Sequence, residues 1–481
     1  MTNAVIRELR ALGYETVPQS FYETIDVWKS WYDGSVNDFH SYQVFNGQKR
    51  VRCRRHTMGM AKKLAEDWAD ILLSEKVRVT LEGREEQAFF DRFCRENNFT
   101  VKANEMQELK AALGTAAYVL RVQGADADET GALQSAAALR CDYVTAEHIF
   151  PLAWENGRVT ECAFAAPRQA AGRRFLYLQL HLLDGDGRYV IENRAYLSGD
   201  GDSLTKTSLA AAGLGNVPAR VATGSARPLF FLDRLNIANN IDVALPMGIS
   251  VFANAIDVLK GVDVAFDSYI NEFILGKKRI IVQPEATRTL EGEPLFDVND
   301  LTFYVLPEDT GRGELVKEID MALRTAEHKA GLEDMLNVLA VKCGFGENHY
   351  SLKNGRLSTA TQIVSENSAF FRTVRKHELV LRTVLTALAR RVLELGNALF
   401  GAGLREDVEI SVDFDESVIE DRDAEFERDA RMLALGILAP WEFRAKWQNE
   451  DEETARAALR EAAEARGGLN GEEGAEAYVG S

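Results

Sequence analysis

Residues 359–378 read TATQIVSENSAFFRTVRKHE, and they open the longest unbroken helical pattern in the chain, 358–400. Ala360, Ile363, Val364, Phe370, Phe371, Val374, Leu381, Val384, Leu385, Leu388, Val392, Leu395 and Leu399 recur mostly at three- and four-residue steps. That period belongs to a helix with one buried face. No Pro or Gly interrupts it before Gly396. At 1.5 Å per residue the rod reaches roughly 60 Å. A rod of that length needs a partner along its flank, either another helix or a second copy of the chain.

Outward from the rod, a loop rich in glycine covers 344–356, and before it helical periodicity returns over 319–341 through Leu323, Leu332, Met335, Leu336 and Leu339. A second long stripe begins near Pro246 and ends at Gly276, carried by Phe252, Ile256, Leu259, Val262, Phe266, Ile270 and Phe273. Between these helices lie two strand-like pieces, 277–282 and 301–306, each followed by a proline. Helices that enter and leave one small β module must run side by side, which predicts a stalk with a compact tip.

Upstream, 1–75 reads as helical, with a turn at Asp33-Gly34 and a stripe of Met60, Leu64, Trp68, Ile71 and Leu72. A strand is expected at 77–81, helices at 85–96 and 103–113, and a strand at 117–122. From Cys141 to Leu197 the period becomes two, with Asp184-Gly185-Asp186-Gly187 as a hairpin turn. This is an antiparallel meander, and 198–224 reads as a loop. After the rod come a strand at 408–414, three short helices and a small, acidic tail read as disordered, 467–481. The fold class is α+β.

The chain has 481 residues, 46% hydrophobic and 27% charged, a soluble globular composition for two to four domains. It has no apolar run of membrane-spanning length, and its N-terminus lacks the apolar core of a signal peptide, so a cytosolic origin is expected. The cysteines are Cys53, Cys94, Cys141, Cys162 and Cys343, an odd set without a C-x-x-C pair, read as free thiols. The net charge is −18, of which 405–481 carries −13 from 9 basic and 22 acidic residues. A protein that grips DNA by its phosphates shows a basic surplus. DNA is therefore either no partner or one that must not stick.

No P-loop, H-E-x-x-H or G-x-S-x-G string is present, and the seven histidines are scattered. The acidic run Asp413, Asp415, Glu416, Glu420 and Asp421 has Val418 where a calcium loop needs Gly. No enzyme, cofactor or metal site is expected. The densest basic cluster, Lys49, Arg50, Arg52, Arg54, Arg55 and His56, reads as a nucleic-acid patch, a subunit contact answering the acidic C-terminus or, first of all, a solvated face.

Four stretches resemble the portal proteins of tailed bacteriophages, specifically of long-tailed phages of Gram-positive hosts. They are VWKSWYDG at 27–34, MGMAKKLAEDWADILLSEKVRV at 58–79, FDSYINEFILGKKRIIV at 266–282, and GFGENHY at 344–350 with the opening string. The resemblance implies a ring, usually of twelve copies, at one capsid vertex, through which DNA enters and leaves. It implies a wing over 1–245, stem helices over 246–276 and 319–343, and a clip over 277–318. A tunnel loop over 344–357, a long wing helix over 358–400, a wing return over 401–425 and a helical crown with acidic tail over 426–481 complete it. The implied partners are the chain itself, the terminase large subunit, the major capsid protein and scaffold, the head–tail adaptor and passing double-stranded DNA; no membrane is implied. The implied location is the virion, after synthesis in the host cytoplasm.

In that frame His349, Tyr350, Lys353, Asn354 and Arg356 face DNA from the tunnel loop, with an ordinary linker as the alternative. Lys277, Lys278 and Arg279 meet a partner or exiting DNA at the clip, with an edge strand guarded by lysines as the alternative. An acidic or neutral channel keeps DNA sliding, whereas a basic one acts as a brake. A capsid-associated adaptor without a channel, and an enzyme subunit with a dispersed site, are the competing functional classes.

Overall fold

The computed structural model describes residues 2–45, 49–74, 77–124, 126–127, 133–135, 138–199, 203–276, 279–282, 303–305, 316–319, 322–350, 368–414, 422–448 and 450–467. Helices α1 (Thr2–Ala11), α2 (Gln19–Tyr32) and α3 (Asn37–His40) lead into a two-stranded ribbon, β1 (Ser41–Phe45) and β2 (Arg50–Arg54). Helix α4 (Met60–Leu72), strand β3 (Arg78–Leu81) and helices α5 (Arg84–Glu96) and α6 (Phe99–Leu113) follow. Strands β4 (Thr115–Gln123), β5 (Asp126–Ala127), β6 (Leu133–Ser135), β7 (Ala138–Thr145), β8 (Ile149–Glu155), β9 (Arg158–Ala170), β10 (Arg173–Leu183) and β11 (Tyr189–Ser198) come next. Short strands β12 (Leu204–Thr207), β13 (Arg220–Ala222) and β14 (Phe230–Arg234) precede helix α7 (Ile256–Leu275). Strands β15 (Arg279–Val282), β16 (Phe303–Val305) and β17 (Val316–Ile319) stand between α7 and α8 (Thr325–Lys342). The rod is α9 (Ser368–Phe400), followed by β18 (Ile410–Asp413), α10 (Arg422–Ala434), α11 (Pro440–Gln448) and α12 (Glu452–Gly467). The chain is α+β.

Two compact units result: Met1–Asn354 with Arg372–Phe414, and Gly355–Phe371 with Asp415–Ser481. The core of the first is aromatic. Trp28, Trp68, Tyr118, Phe150 and Phe252 are fully buried. Helix α4 packs on α6, and α6 lies against β4 and β7. Strands run in the order β14-β4-β7 in one sheet and β12-β11-β10-β9-β8 in another, with β13 also on β11. The Asp184–Gly187 turn joins β10 to β11; Asp184 Oδ1 accepts from the Asp186 and Arg188 backbone N–H groups, so the carboxylate serves a turn. Helix α6 ends at Gly114, in the left-handed region at φ +89°. A Cβ there would stand 2.4 Å from the Gly248 carbonyl oxygen, so the two backbones touch.

Within the first 75 residues the ribbon β1–β2 interrupts the expected helices, its period-two pattern spread over two five-residue strands. The expected loop 198–224 contains β12 and β13, which add to β11 through backbone hydrogen bonds and need no apolar signature. The stripe that begins near Pro246 turns helical at Ile256. Before that, Val251 N–H donates to Ala111 O and Gly248 N–H to Thr115 Oγ1, which holds the segment to the end of α6. The second stalk helix begins at Thr325, because Ile319 belongs to β17, antiparallel to β15. β16 pairs with β15 in parallel. α9 passes through Gly396 without a break; a Cβ there would meet the Phe89 ring at 2.7 Å. The expected start of the rod, 358–367, and the tail 468–481 lie outside the described residues.

In the second unit, the Phe426 ring lies 5.4 Å from Phe443 and 5.0 Å from Trp447. Asp429 receives Lys446 at 2.8 Å.

Candidate functional site

The loop after α8 is built on helix α4. Trp68 sits at the centre of the α4 stripe, and its Nε1–H donates to Cys343 O at 3.1 Å. Its ring lies 4.9 Å from Phe345 and, edge-on, 4.9 Å from His377 of α9. Phe345 then stacks on His349 with centroids 4.4 Å apart. Beside Trp68, Asp67 accepts from Tyr350 Oη at 2.7 Å and from Lys63 Nζ at 2.6 Å, and His349 Nε2 stands 3.8 Å from the same carboxylate. Burial pushes the Asp67 carboxyl upward, but His349, Lys63 and Tyr350 outweigh it and hold it below its ordinary value of 3.8. Burial first, then Asp67, raises the Tyr350 hydroxyl, which stays a donor. The Asn348 N–H donates to Asn337 Oδ1 of α8 at 2.8 Å.

Beneath this lies a buried polar cluster. Lys110 Nζ stands 3.2 Å from Asp233, and Gln107 Nε2 donates to Asp233 at 2.8 Å. Burial lowers the Lys110 ammonium, while Asp233 opposes that shift. His377 Nδ1 accepts the Asn236 backbone N–H at 3.0 Å, so its proton sits on Nε2. Burial, then Lys110 and Lys376, drive its pKa down to about 3. His377 is thus a neutral packing residue.

Helices α7 and α8 pack together as a hairpin. At its tip end Glu272 accepts from Arg324 Nη2 at 2.9 Å and pairs with His328 at 3.2 Å. The hydrogen bonds from Arg324 lead the causes that hold Glu272 down to about 2. Another flank of α7 holds the ribbon. Asp263 pairs with His40 at 2.9 Å and accepts the Met58 N–H at 2.8 Å. One turn on, Asp267 Oδ1 takes the His56 N–H at 2.9 Å and pairs with His56 Nδ1 at 2.8 Å.

Of the residues singled out from sequence, His349 and Tyr350 are brought together on Asp67. Lys353, Asn354 and Arg356 lie outside the described residues, as do Lys277 and Lys278. Arg279 opens β15. Asp67, Asp263 and Asp267 were not legible as anchors, because their partners stand 205 to 283 residues away in several of these contacts. Their signal is a carboxylate on the border of an apolar helical stripe, a common pattern. Among the described residues no group of three His, Cys, Asp or Glu is placed to hold a metal ion, and no helix is long and apolar enough to cross a membrane.

The sequence model of the family described as phage portal protein, SPP1 Gp6-like, matches residues 16–467. No curated protein matches the chain.

Proposed function

The chain belongs to the SPP1 Gp6-like family of phage portal proteins, a structural family of the virion, and on that footing we propose that it assembles as a ring at one capsid vertex and conducts double-stranded DNA during packaging and ejection. One observation carries the ring. The α7–α8 hairpin leaves Val264, Phe273 and Ile274 of α7, and Met335, Val338 and Val341 of α8, between 42% and 51% exposed. A helix pair that is apolar on its outer flanks as well as between its helices calls for a neighbour. Copies arranged head to tail supply one and, where the rotation closes, make a ring. Twelve is the expected number.

In this reading residues 1–245 form the wing, with 246–276 and 319–343 as the stem and 277–318 as the clip. The tunnel loop is 344–357. Residues 358–400 form the long wing helix, 401–425 the wing return and 426–481 the crown. Lys353, Asn354 and Arg356 reach the DNA backbone, while His349 and Tyr350 hold the root of their loop on Asp67. Lys277, Lys278 and Arg279 dock the terminase large subunit and then a head–tail adaptor, and the outer surface meets capsid protein and scaffold. The net charge of −18 per copy supports an acidic or neutral lining, over which phosphates slide without counterion-release affinity.

Native mass measurement and electron microscopy of the purified chain test the reading. Annular particles with a central channel are expected; a compact monomer at high concentration, or a channel lined by Lys and Arg, overturns it. Deleting 351–356 should spare the ring and depress DNA packaging.

A further inference from the structure

The β1–β2 ribbon is amphipathic and stands on a rigid base. Its register sets Ser41 against Arg54, Gln43 against Arg52 and Phe45 against Arg50, so these six side chains share one face. Tyr42, Val44, Val51 and Cys53 share the other. Among the described residues no third strand joins the pair, and a lone two-stranded ribbon is marginal in water. Phe45 is nevertheless 64% exposed and Val44 45%. Arg52 Nε donates to Ser41 Oγ, while Arg50 and Arg54 form no ion pair with a described residue. The backbone positions of Arg50, Arg52 and Arg54 repeat about every 7 Å along the strand. No acidic residue occurs between Asp38 and Glu66, in a chain whose net charge is −18.

Helix α7 fixes where this ribbon is rooted. His40, Met58 and His56 bracket it and are held by Asp263 and Asp267. On α7, Gly261, Tyr269 and Glu272 face α8: a Cβ on Gly261 would lie 3.4 Å from Met335 Sδ, and Tyr269 and Glu272 meet His328. At 100° per residue, Asp263 and Asp267 lie about half a turn away from that face. The ribbon root and α8 are therefore on opposite sides of α7. α8 in turn has a free flank on which Glu327, Asp334, Val338 and Val341 recur at helical spacing, all exposed. Asp334 forms no ion pair with a described residue, and Glu327 acts on Arg324 without a direct ion pair, the Arg324 guanidinium being held by Glu272.

We propose that the ribbon of one copy lies against this flank of α8 in the next copy, its arginines on Glu327 and Asp334 and Phe45 on Val338 and Val341. The inference rests on the ring reading, since a head-to-tail contact joins two different flanks of the same subunit. Complementary charge selects this occupant. The ribbon's mixture of arginine, aromatic and few lysines is that of a protein interface more than of a phosphate track. Copies that repel through their net charge gain a short-range attraction here that also sets their register.

Reciprocal charge reversal tests it, read by sedimentation and native mass at about 0.15 M salt. R50E/R52E/R54E, or E327R/D334R, should raise the concentration for half-assembly at least about tenfold. The two sets combined should restore assembly towards wild type. Unchanged assembly in either set, or a combination no better than its parts, overturns the contact while leaving the ring intact. All five residues are exposed, and a thermal melt checks folding. Should the arginine reversal melt early, R50Q/R52Q/R54Q replaces it with the same expected direction. Loss of binding to a duplex DNA fragment with assembly unchanged would assign the ribbon to DNA and also overturn the proposal. A wild-type chain that never assembles defeats the ring reading itself.

Discussion

Helices α4 and α8 carry apolar stripes of similar length and use them differently. On α4, Met60, Leu64, Trp68 and Leu72 are all buried, and Asp67 beside them holds Lys63 and Tyr350 of the same chain. On α8, Leu332, Leu336 and Leu339 are buried against their own chain, but Met335, Val338 and Val341 are not. The α4 environment is complete in one subunit, whereas that of α8 is half made. Burial within one subunit is thus more complete around α4 than around α8, and the uncovered flank of α8 is where the proposed neighbour would lie.

The contrast breaks most readily at Trp68. Trp68→Ala removes a fully buried ring that touches Phe345, His377 and Cys343, and should cost about 3–5 kcal/mol in denaturant unfolding. A loss near that of a surface substitution would mean the core around α4 is not where the burial places it.

Acid probes the same core through its buried histidines. Burial holds His377 and His181 at about 3 in the folded chain, below their ordinary 6.5. As pH falls, the unfolded chain takes up these protons first, so folding stability is full above about 6.5 and declines from there to about 3. The slope is about 1.4 kcal/mol per pH unit for each histidine. His377→Gln should flatten the profile across that window; an unchanged slope would remove His377 from the account.

Asp67→Asn should cost about 1–2 kcal/mol and release Tyr350, seen as faster hydrogen exchange over 344–350. Because the Asp67 carboxyl titrates below 3.8, its contribution is present at neutral pH and lost only as pH falls through that depressed value. Equal exchange in the two proteins would show that Phe345 stacking alone holds the loop root.

Val338→Ser with Val341→Ser should be the smallest in stability, within about 0.5 kcal/mol per site for exposed positions. Assembly should nevertheless weaken. Intact assembly in that variant would mean the exposed stripe has no neighbour, and the comparison with α4 would lose its meaning.

Much of the architecture was legible in local periodicity. The α2 and α4 stripes, α5, α6, the β9–β11 meander and the 33-residue α9 all follow from apolar spacing and from turns such as Asp184–Gly187. What escaped had a reason in each case. The ribbon strands are five residues long, and their apolar residues alternate with arginines, so the stretch resembles a polar loop. β12, β13 and β17 are edge additions whose stability lies in ladder hydrogen bonds that composition does not encode. The loop over 344–356 was recognisable as a candidate site from its glycines, His349 and Tyr350. That Asp67 would receive Tyr350 was not, since nothing at 67 distinguishes it from other carboxylates on α4.

By itself the chain of residues determined that one long helix and a second helix pair exist and that the class is α+β, because burial repeats at 3.6 or 2 residues leave a mark on the longer elements they build, while the resemblance to the portal family lay in four particular stretches of residues. Only the tertiary structure decided which flank each helix turns inward, where Asp67, Asp263 and Asp267 place their charges, and which apolar side chains stay uncovered. Those outcomes depend on contacts between residues far apart along the chain, and a short-range pattern states that a face must be buried without stating what buries it.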